Sequence, residues 1–224
     1  MIADFLARSD GLRGSLCFDP AATFALGDSN GGMFAWSLAQ DSRTAPLLAG
    51  IAPVIAAPHC DHDRPQAKGT QVPVLSQTGK WDETVSPSEL PWPGNPGDKC
   101  VTNRDGDMYR YLASHWITTT WAQGVEGCAV DRLTFPTKKY KFKGLSKEST
   151  LKCRTWCKGW KAHSVDCAFD GGHDSPEFTM QAALIFFDRH LPKKKRFDCR
   201  KIKKKQHCKK TSCAWKKKKC VSGS

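Results

Sequence analysis

The sequence of 224 residues contains no apolar run of the roughly 18 residues that a membrane-spanning helix requires. Its first residues, MIADFLARSDGLRGS, lack the basic start and continuous apolar stretch of a secretory signal peptide. It has no internal repeat, and no two cysteines have the C-x2-C spacing typical of zinc ribbons. These absences argue against a membrane-spanning protein, a repeat protein and a structural zinc protein.

The composition is that of a globular protein with an unevenly placed charge. Hydrophobic residues make up 39% and charged residues 25% of the chain, which excludes wholesale disorder. Residues 192–224 hold 15 of the 35 Lys and Arg but one of the 22 acidic residues, so residues 1–191 are nearly neutral. We therefore predict a body over residues 1–191 and a Lys/Cys-rich basic tail over residues 192–224.

The 11 cysteines, seven in the body and four in the tail, are unusual for a cytosolic protein. Their spacing favours disulfide loops, which indicates an oxidising, extracellular location. Because seven is odd, at least one body cysteine has no partner within the body. A secreted protein also needs a signal peptide, so we expect the beginning of the protein to be missing from this chain.

The basic tail is expected to attract polyanions such as acidic polysaccharide or nucleic acid. Phe197 and Trp215 are its only aromatic residues, which argues against base stacking. The alternative is a solubilising extension whose like charges repel one another. The residues predicted to contact a polyanion are Lys193, Lys194, Lys195, Arg196, Lys203, Lys204, Lys205, Lys216, Lys217, Lys218 and Lys219.

The apolar pattern of the body predicts an α/β fold. Continuous apolar runs between helical patterns are typical of a mostly parallel sheet with helices on both faces. We expect strands at 23–26, 47–57, 72–75 and 165–169, and helices at 2–14, 31–40, 109–123 and 176–191. Residues from about 86 to 143 begin with a Pro- and Gly-rich stretch and are expected to form a lid-like excursion.

Gly27-Asp28-Ser29-Asn30-Gly31 is a G-x-S-x-G sequence between a predicted strand and a predicted helix. That context is typical of a nucleophile elbow, which presents the serine hydroxyl at the start of the helix. Ser29 is the candidate nucleophile, and the Asn30 N–H is expected to face the developing oxyanion. The alternative is an ordinary turn serine.

A nucleophilic serine needs a base, and the base needs an orienting acid. Asp82 and His173 each follow a predicted strand, at the edge where open α/β sheets place their sites. The chain order Ser, Asp, His is that of α/β-hydrolases. Glu83 is the alternative to Asp82, and His163 is the alternative to His173, although His163 precedes its strand.

The segment His59-Cys60-Asp61-His62-Asp63 has the composition of a metal site. Adjacent residues in a loop rarely converge on one ion, so we predict a solvated loop with a disulfide cysteine instead. Because Ser-His-Asp chemistry uses only protein groups, we expect neither a metal nor a cofactor.

The segments GDSNGGM, VPVL…TGKWD and C…FDGGHDSP resemble the polyhydroxybutyrate depolymerase/feruloyl esterase family of secreted α/β-hydrolases. The resemblance covers about residues 2–191 and implies that Ser29 is the nucleophile, His173 the base and Asp82 its orienter. It also implies carboxylic ester substrates, either polyester or hydroxycinnamoyl (feruloyl) polysaccharide. Together with proximity, the resemblance favours the disulfides Cys157–Cys167, Cys128–Cys153 and Cys17–Cys60, and leaves Cys100 over.

The chain departs from that family pattern in three places. Asp28 puts a carboxylate beside the nucleophile, and Ser175 stands where the family has a tryptophan. In α/β-hydrolases the elbow follows the fifth strand, whereas only about 22 residues precede the strand here. We therefore expect the C-terminal portion of an α/β-hydrolase fold, without the early strands and the loop that donates the second oxyanion N–H.

Two functions are compatible with these patterns. The leading prediction is a serine carboxylic-ester hydrolase that acts through an acyl-enzyme on a polymeric ester. The alternative is a catalytically inactive, truncated hydrolase whose basic tail binds polyanions.

Overall fold

The computed structural model describes residues 20–60, 72–85, 100–102, 109–125, 138–155, 163–191, 213–216 and 219–222. The chain divides into two compact units, Met1–Leu191 and Pro192–Ser224. The helix predicted at residues 2–14 and most of the cations predicted to bind a polyanion lie outside the described residues.

The first unit alternates strands and helices along the chain. Its elements are β1 (Phe24–Asp28), α1 (Ser29–Gln40), β2 (Gly50–Val54), β3 (Val74–Gly79), β4 (Cys100–Thr102), β5 (Arg110–Leu112), α2 (Ser114–Val125), β6 (Lys138–Tyr140), β7 (Lys152–Thr155), β8 (Ser164–Phe169) and α3 (Glu177–His190). Short 3-10 helices at Pro20–Ala22 and Ala45–Leu47 precede β1 and β2.

Six of these strands form one sheet in the order β1-β2-β3-β8-β7-β6. The first four strands run parallel, while β7 and β6 are antiparallel to their neighbours. β4 and β5 form a separate antiparallel pair. The prediction of an α/β fold with a mostly parallel sheet flanked by helices is therefore confirmed, although the antiparallel edge was not expected.

Consecutive residues of the buried strands point to opposite faces of the sheet, so each face has its own core. Ile51 and Val74 belong to a cluster that contains Trp36 of α1 and Trp121 of α2. The neighbouring residues Ala52 and Leu75 instead pack with Ala182, Ala183 and Phe186 of α3. Because both faces are covered, strands β2, β3 and β8 are buried along their whole length, although β3 and β8 also contain polar residues.

The predicted helix at 109–123 is wrong in its first turn, where Arg110–Leu112 forms β5 and the helix begins at Ser114. β5 pairs with β4, a non-local partner that a local pattern does not reveal. The indole N–H of Trp121 donates to the Val72 carbonyl at 2.6 Å, and Ser164 Oγ donates to the Thr118 carbonyl at 2.8 Å. Residues 114–125 of the expected lid-like excursion therefore form a helix that packs on the sheet.

The structure contains the disulfides Cys153–Cys167 and Cys60–Cys100, which confirms the expectation of disulfide bonds but not the pairings. Cys153 lies opposite Cys167 in the register of β7 and β8, so neither cysteine bonds to Cys157 or Cys128. Backbone hydrogen bonds hold residues 58–60 beside β5, whose partner strand begins with Cys100. The pairings Cys157–Cys167, Cys128–Cys153 and Cys17–Cys60 are therefore wrong, and Cys17, Cys128 and Cys157 lie outside the described residues.

In the second unit the structure describes one antiparallel hairpin, β9 (Cys213–Lys216) with β10 (Lys219–Ser222). The register sets Lys216 opposite Lys219 and Trp215 opposite Cys220. Two of the cations predicted to bind a polyanion thus lie at directly paired positions of a hairpin.

Of the helices in the described part of the chain, none is long and apolar enough to cross a membrane. The two disulfides are compatible with an oxidising compartment.

Candidate active site

Ser29 lies at a sharp turn between the carboxyl end of β1 and the first turn of α1. Its φ of 48° falls in the left-handed region, which non-glycine residues seldom adopt. Strained backbone of this kind is characteristic of a nucleophile elbow, where it lifts the serine hydroxyl above the sheet edge. The local backbone therefore matches the elbow predicted from G-x-S-x-G.

Two glycines allow the close packing of this turn. A Cβ atom at Gly27 would collide with the backbone of Gly31, and one at Gly32 would collide with the side chain of Ala56. A Cβ at Gly31, the last residue of the motif, would meet nothing within 4 Å. Glycine is therefore required at positions 27 and 32, and Gly32 is the residue directly after the motif.

The structure brings Ser29, His173 and Asp82 together in one chain of hydrogen bonds. His173 Nε2 lies 3.0 Å from Ser29 Oγ. On the other side of the ring, Nδ1 lies 3.0 Å from Asp82 Oδ2 and 3.1 Å from Oδ1. Because an ionised carboxylate only accepts hydrogen bonds, Nδ1 carries the proton and Nε2 is left to accept the serine proton.

Asp82 is held by its own loop. Its side chain is buried, and its Oδ1 accepts the backbone N–H groups of Thr84 and Val85 at 2.9 and 2.8 Å. An aspartate that binds the amides two and three residues ahead forms an Asx turn, which fixes the carboxylate in place. Glu83, the alternative acid, is exposed to solvent.

The loop that carries Asp82 packs directly on the loop that carries His173. Lys80 N–H donates to the Phe169 carbonyl and Trp81 N–H to the Gly171 carbonyl, both at 2.9 Å. A Cβ atom at Gly79 would collide with the carbonyl oxygens of the two glycines that precede His173. These contacts arise because β3 and β8 are neighbouring parallel strands that end at the same edge.

His163 lies at the other end of β8 from His173. It directly precedes Ser164, and its ring packs against the ring of His190, with 5.5 Å between the ring centres. β8 separates it from the loop that reaches Ser29, so His173 rather than His163 contacts the serine.

Asn30 is the second residue of α1, so its backbone N–H belongs to the first helical turn. Amides of that turn have no acceptor within the helix and are free to bind an anion that forms beside Ser29. Its place is compatible with the predicted role as an oxyanion donor.

Asp28 and Ser175 form a contact that the sequence pattern did not suggest. Ser175 Oγ donates to Asp28 Oδ2 at 3.2 Å, and both side chains are exposed. The carboxylate beside Ser29 therefore has a partner on the histidine loop. Ser175, one of the departures from the family pattern that the sequence resembles, supplies this partner.

In the loop predicted at residues 59–63, the structure describes His59 and Cys60, and both contact other parts of the chain. The His59 ring packs on Tyr111 with 4.7 Å between ring centres, and Cys60 forms a disulfide. Asp61, His62 and Asp63 lie outside the described residues. Within the ranges that the structure describes, no group of three or more His, Cys, Asp or Glu residues is placed to hold a metal ion.

Sequence reasoning missed the groups that support the three site residues. The amides of Thr84 and Val85 could have been found from the Asx-turn signal of an aspartate in a loop. The Ser175–Asp28 contact joins residues 147 positions apart and leaves no local signal.

Comparison of the chain with protein-family models finds no match, and comparison with curated proteins finds none either. The function of the protein is therefore inferred from the geometry of Ser29, His173 and Asp82.

Proposed function

We propose that the protein is a serine carboxylic-ester hydrolase of the α/β-hydrolase type. The observation that carries the proposal is the hydrogen-bond chain from Ser29 through His173 to Asp82, built on a strained turn between a parallel strand and a helix. Each residue follows the carboxyl end of a parallel strand, and the chain order is Ser, Asp, His.

The reaction begins when Ser29 Oγ attacks the ester carbonyl carbon and its proton passes to His173 Nε2. The Asp82 carboxylate stabilises the resulting imidazolium through Nδ1–H. The negative charge on the former carbonyl oxygen is stabilised by the Asn30 N–H. When the tetrahedral intermediate collapses, the alcohol leaves with the proton of His173 and Ser29 keeps the acyl group.

Deacylation repeats these steps with water as the nucleophile. His173 takes a proton from the water, which attacks the acyl-enzyme carbonyl, and Ser29 leaves with that proton. The net reaction is ester plus water to acid plus alcohol. By resemblance of the three sequence segments, the substrates are polyesters or hydroxycinnamoyl esters of polysaccharide.

The test compares the native protein with Ser29→Ala and His173→Ala in p-nitrophenyl acetate and butyrate hydrolysis and in fluorophosphonate labelling. Ser37→Ala is the matched control, because Ser37 lies on the same helix and its hydroxyl only donates to the Met33 carbonyl. We expect both site variants to lose turnover and labelling with an unchanged circular dichroism spectrum. Turnover in Ser29→Ala equal to that of the native protein would contradict the proposal.

A second candidate function is polyanion binding by the tail. The observation that favours it is the charge of residues 192–224, with 15 Lys and Arg against one acidic residue. Such a segment binds polyanions mainly through counterion release, so binding weakens steeply with salt. Salt-sensitive retention on immobilised heparin, lost on deletion of residues 192–224, is the expected result. Equal retention of the shortened chain would contradict it.

A further inference from the structure

The loops that carry Asp82 and His173 are joined by an ion pair as well as by backbone hydrogen bonds. Lys80 Nζ lies 2.7 Å from Asp170 Oδ1. Lys80 is two residues before Asp82, and Asp170 is three residues before His173, although 90 positions separate the pair in sequence. The contact therefore spans the gap between the acid and the base of the site.

The pair is partly shielded from solvent. The Lys80 side chain is 17% exposed and that of Asp170 is 50% exposed, so the ammonium group is largely covered. The hydrogen bond from Lys80 lowers the pKa of the Asp170 carboxyl, burial partly offsets this effect, and the charge of Lys152 adds to it. The Asp170 N–H also donates to Thr150 Oγ1 at 2.9 Å, which anchors the start of the histidine loop.

We propose that Lys80 and Asp170 are a positioning pair that sets the distance between Asp82 and His173. The proposal rests on the esterase function proposed above. Neither residue contacts the reacting atoms; the pair acts by holding one loop against the other. Its loss would let the histidine loop move relative to Asp82 while the sheet beneath stays intact.

The physical reason lies in how the imidazole is held. His173 binds Asp82 on one side and Ser29 on the other, and the three residues follow three separate strands. A displacement of about 1 Å between such groups can cost up to about 10²-fold in rate. Loops at the edge of a sheet are the parts of a fold that open most easily, so an added cross-link there affects geometry more than overall stability.

The chain offers a matched control in the ion pair between Arg43 and Asp41, whose closest atoms are 2.9 Å apart. These residues follow the end of α1, a helix of 12 residues that begins at Ser29. At a rise of roughly 1.5 Å per residue, the control pair lies roughly 18 Å along the helix from the site. Because it joins residues two positions apart, it ties no two loops together.

The experiment compares the native full-length protein with Lys80→Met, Asp170→Asn, the double variant and Arg43→Met. The first readout is the rate of fluorophosphonate labelling and of p-nitrophenyl butyrate hydrolysis. We expect kcat and the labelling rate to fall about tenfold in each single variant and no further in the double variant, with KM unchanged. Arg43→Met is expected to keep the native values.

The second readout does not depend on activity. It is the downfield NMR resonance of the His173 Nδ1 proton, assigned by its loss in His173→Ala. We expect it to broaden or shift in Lys80→Met and Asp170→Asn and to stay unchanged in Arg43→Met. A purely structural role would lower the unfolding temperature without moving this resonance.

An unchanged resonance and an unchanged labelling rate in both single variants would overturn the positioning role. Absence of Ser29-dependent labelling in the native protein would instead overturn the esterase function. In that case the resonance still decides whether Lys80 and Asp170 position His173 against Asp82.

Discussion

Ser175 donates a hydrogen bond to the carboxylate of Asp28 at 3.2 Å, and this contact joins the residue before Ser29 to the residue two after His173. The elbow and the histidine loop are therefore connected beside the Ser29–His173 hydrogen bond as well as through it. The contact also holds an acidic group on the residue directly before Ser29, the proposed nucleophile.

Asp28→Asn is expected to speed the acylation of Ser29. An asparagine still accepts the Ser175 hydrogen bond, but it removes a negative charge that opposes oxyanion formation. Because Asp28 is exposed, we expect an increase of about two- to fivefold at low salt that disappears at high salt. The measurement is kcat/KM at both salt levels, with Asp41→Asn as the control for net charge; a slower Asp28→Asn enzyme would contradict the prediction.

Asp82→Asn is expected to lower kcat by about 10⁴-fold while the loop keeps its shape. The side-chain oxygen of asparagine can still accept the N–H groups of Thr84 and Val85. Its amide nitrogen then faces His173 Nδ1 and stabilises the wrong imidazole tautomer. We therefore expect a large fall in the hydrolysis rate of this variant and little change in its unfolding temperature. A large loss of stability with a small loss of rate would argue against the assignment of Asp82.

Gly32→Ala and Gly31→Ala are neighbouring substitutions with opposite expected effects on the free energy of unfolding. The methyl group at position 32 would collide with Ala56 and lie 2.8 Å from the Gly27 carbonyl oxygen, so we expect a loss of about 1–3 kcal/mol or more. The methyl group at position 31 enters open space within a helix and should add up to about 1 kcal/mol. Urea unfolding of both variants tests the pair, and equal midpoints would contradict the elbow packing.

The disulfides can be checked by non-reducing peptide mapping. We expect linked peptides containing Cys153 with Cys167 and Cys60 with Cys100. Recovery of a Cys157–Cys167 peptide would instead restore the pairing that the family resemblance favours. Because Cys153 and Cys167 are 14 residues apart, replacing both by alanine should lower the unfolding free energy by about 3 kcal/mol.

Asp41 provides a pH test of the surface ion pairs. Hydrogen bonds from the side chain and backbone of Arg43 lower the pKa of Asp41 from 3.8 to about 2. A carboxyl whose pKa is lower in the folded state stabilises the protein above its unfolded pKa and loses that effect as the pH falls. The stability difference between the native protein and Asp41→Asn should therefore be constant above about pH 4 and vanish as the pH falls through 2.

Asp170 should change stability with pH in the same direction, because its carboxyl pKa is lowered mainly by the Lys80 hydrogen bond. The destabilisation caused by Asp170→Asn should also shrink in acid. Urea midpoints measured over this pH range test both variants, and a difference that grows as the pH falls would contradict the ion pairs.

Much of the fold can be predicted from the local sequence, because a sheet covered by helices on both faces requires simple apolar patterns in its strands and helices. The stretches that became β2, β3 and β8 are buried runs, β1 is partly buried, and α3 carries an amphipathic pattern that buries Phe186 against the sheet. The turn at Ser29 was predictable because glycines mark the points where strand and helix approach closely. That Asp82 and His173 lie near Ser29 was predictable because each follows the carboxyl end of a parallel strand.

The local sequence did not reveal which separate segments of the chain pair with each other. Arg110–Leu112 has a helical apolar pattern, yet its pairing with Cys100–Thr102 makes it a strand. The partner of Cys153 follows from the register of β7 on β8, which no spacing of cysteines encodes. The ion pair of Lys80 with Asp170 depends in the same way on the pairing of β3 with β8, which brings the two loops together.

The direct pairing of β3 with β8 fixes the relative positions of the loops that carry Asp82 and His173, whatever the length of the loop connections between the two strands. Six consecutive residue pairs, from Val74 with Ser164 to Gly79 with Phe169, fix where the loops of Asp82 and His173 begin. Insertions and deletions in loops between these strands can therefore accumulate in evolution while Asp82 and His173 keep their spacing, whereas α2, which packs on the sheet, and β7, which pairs with β8, stay constrained.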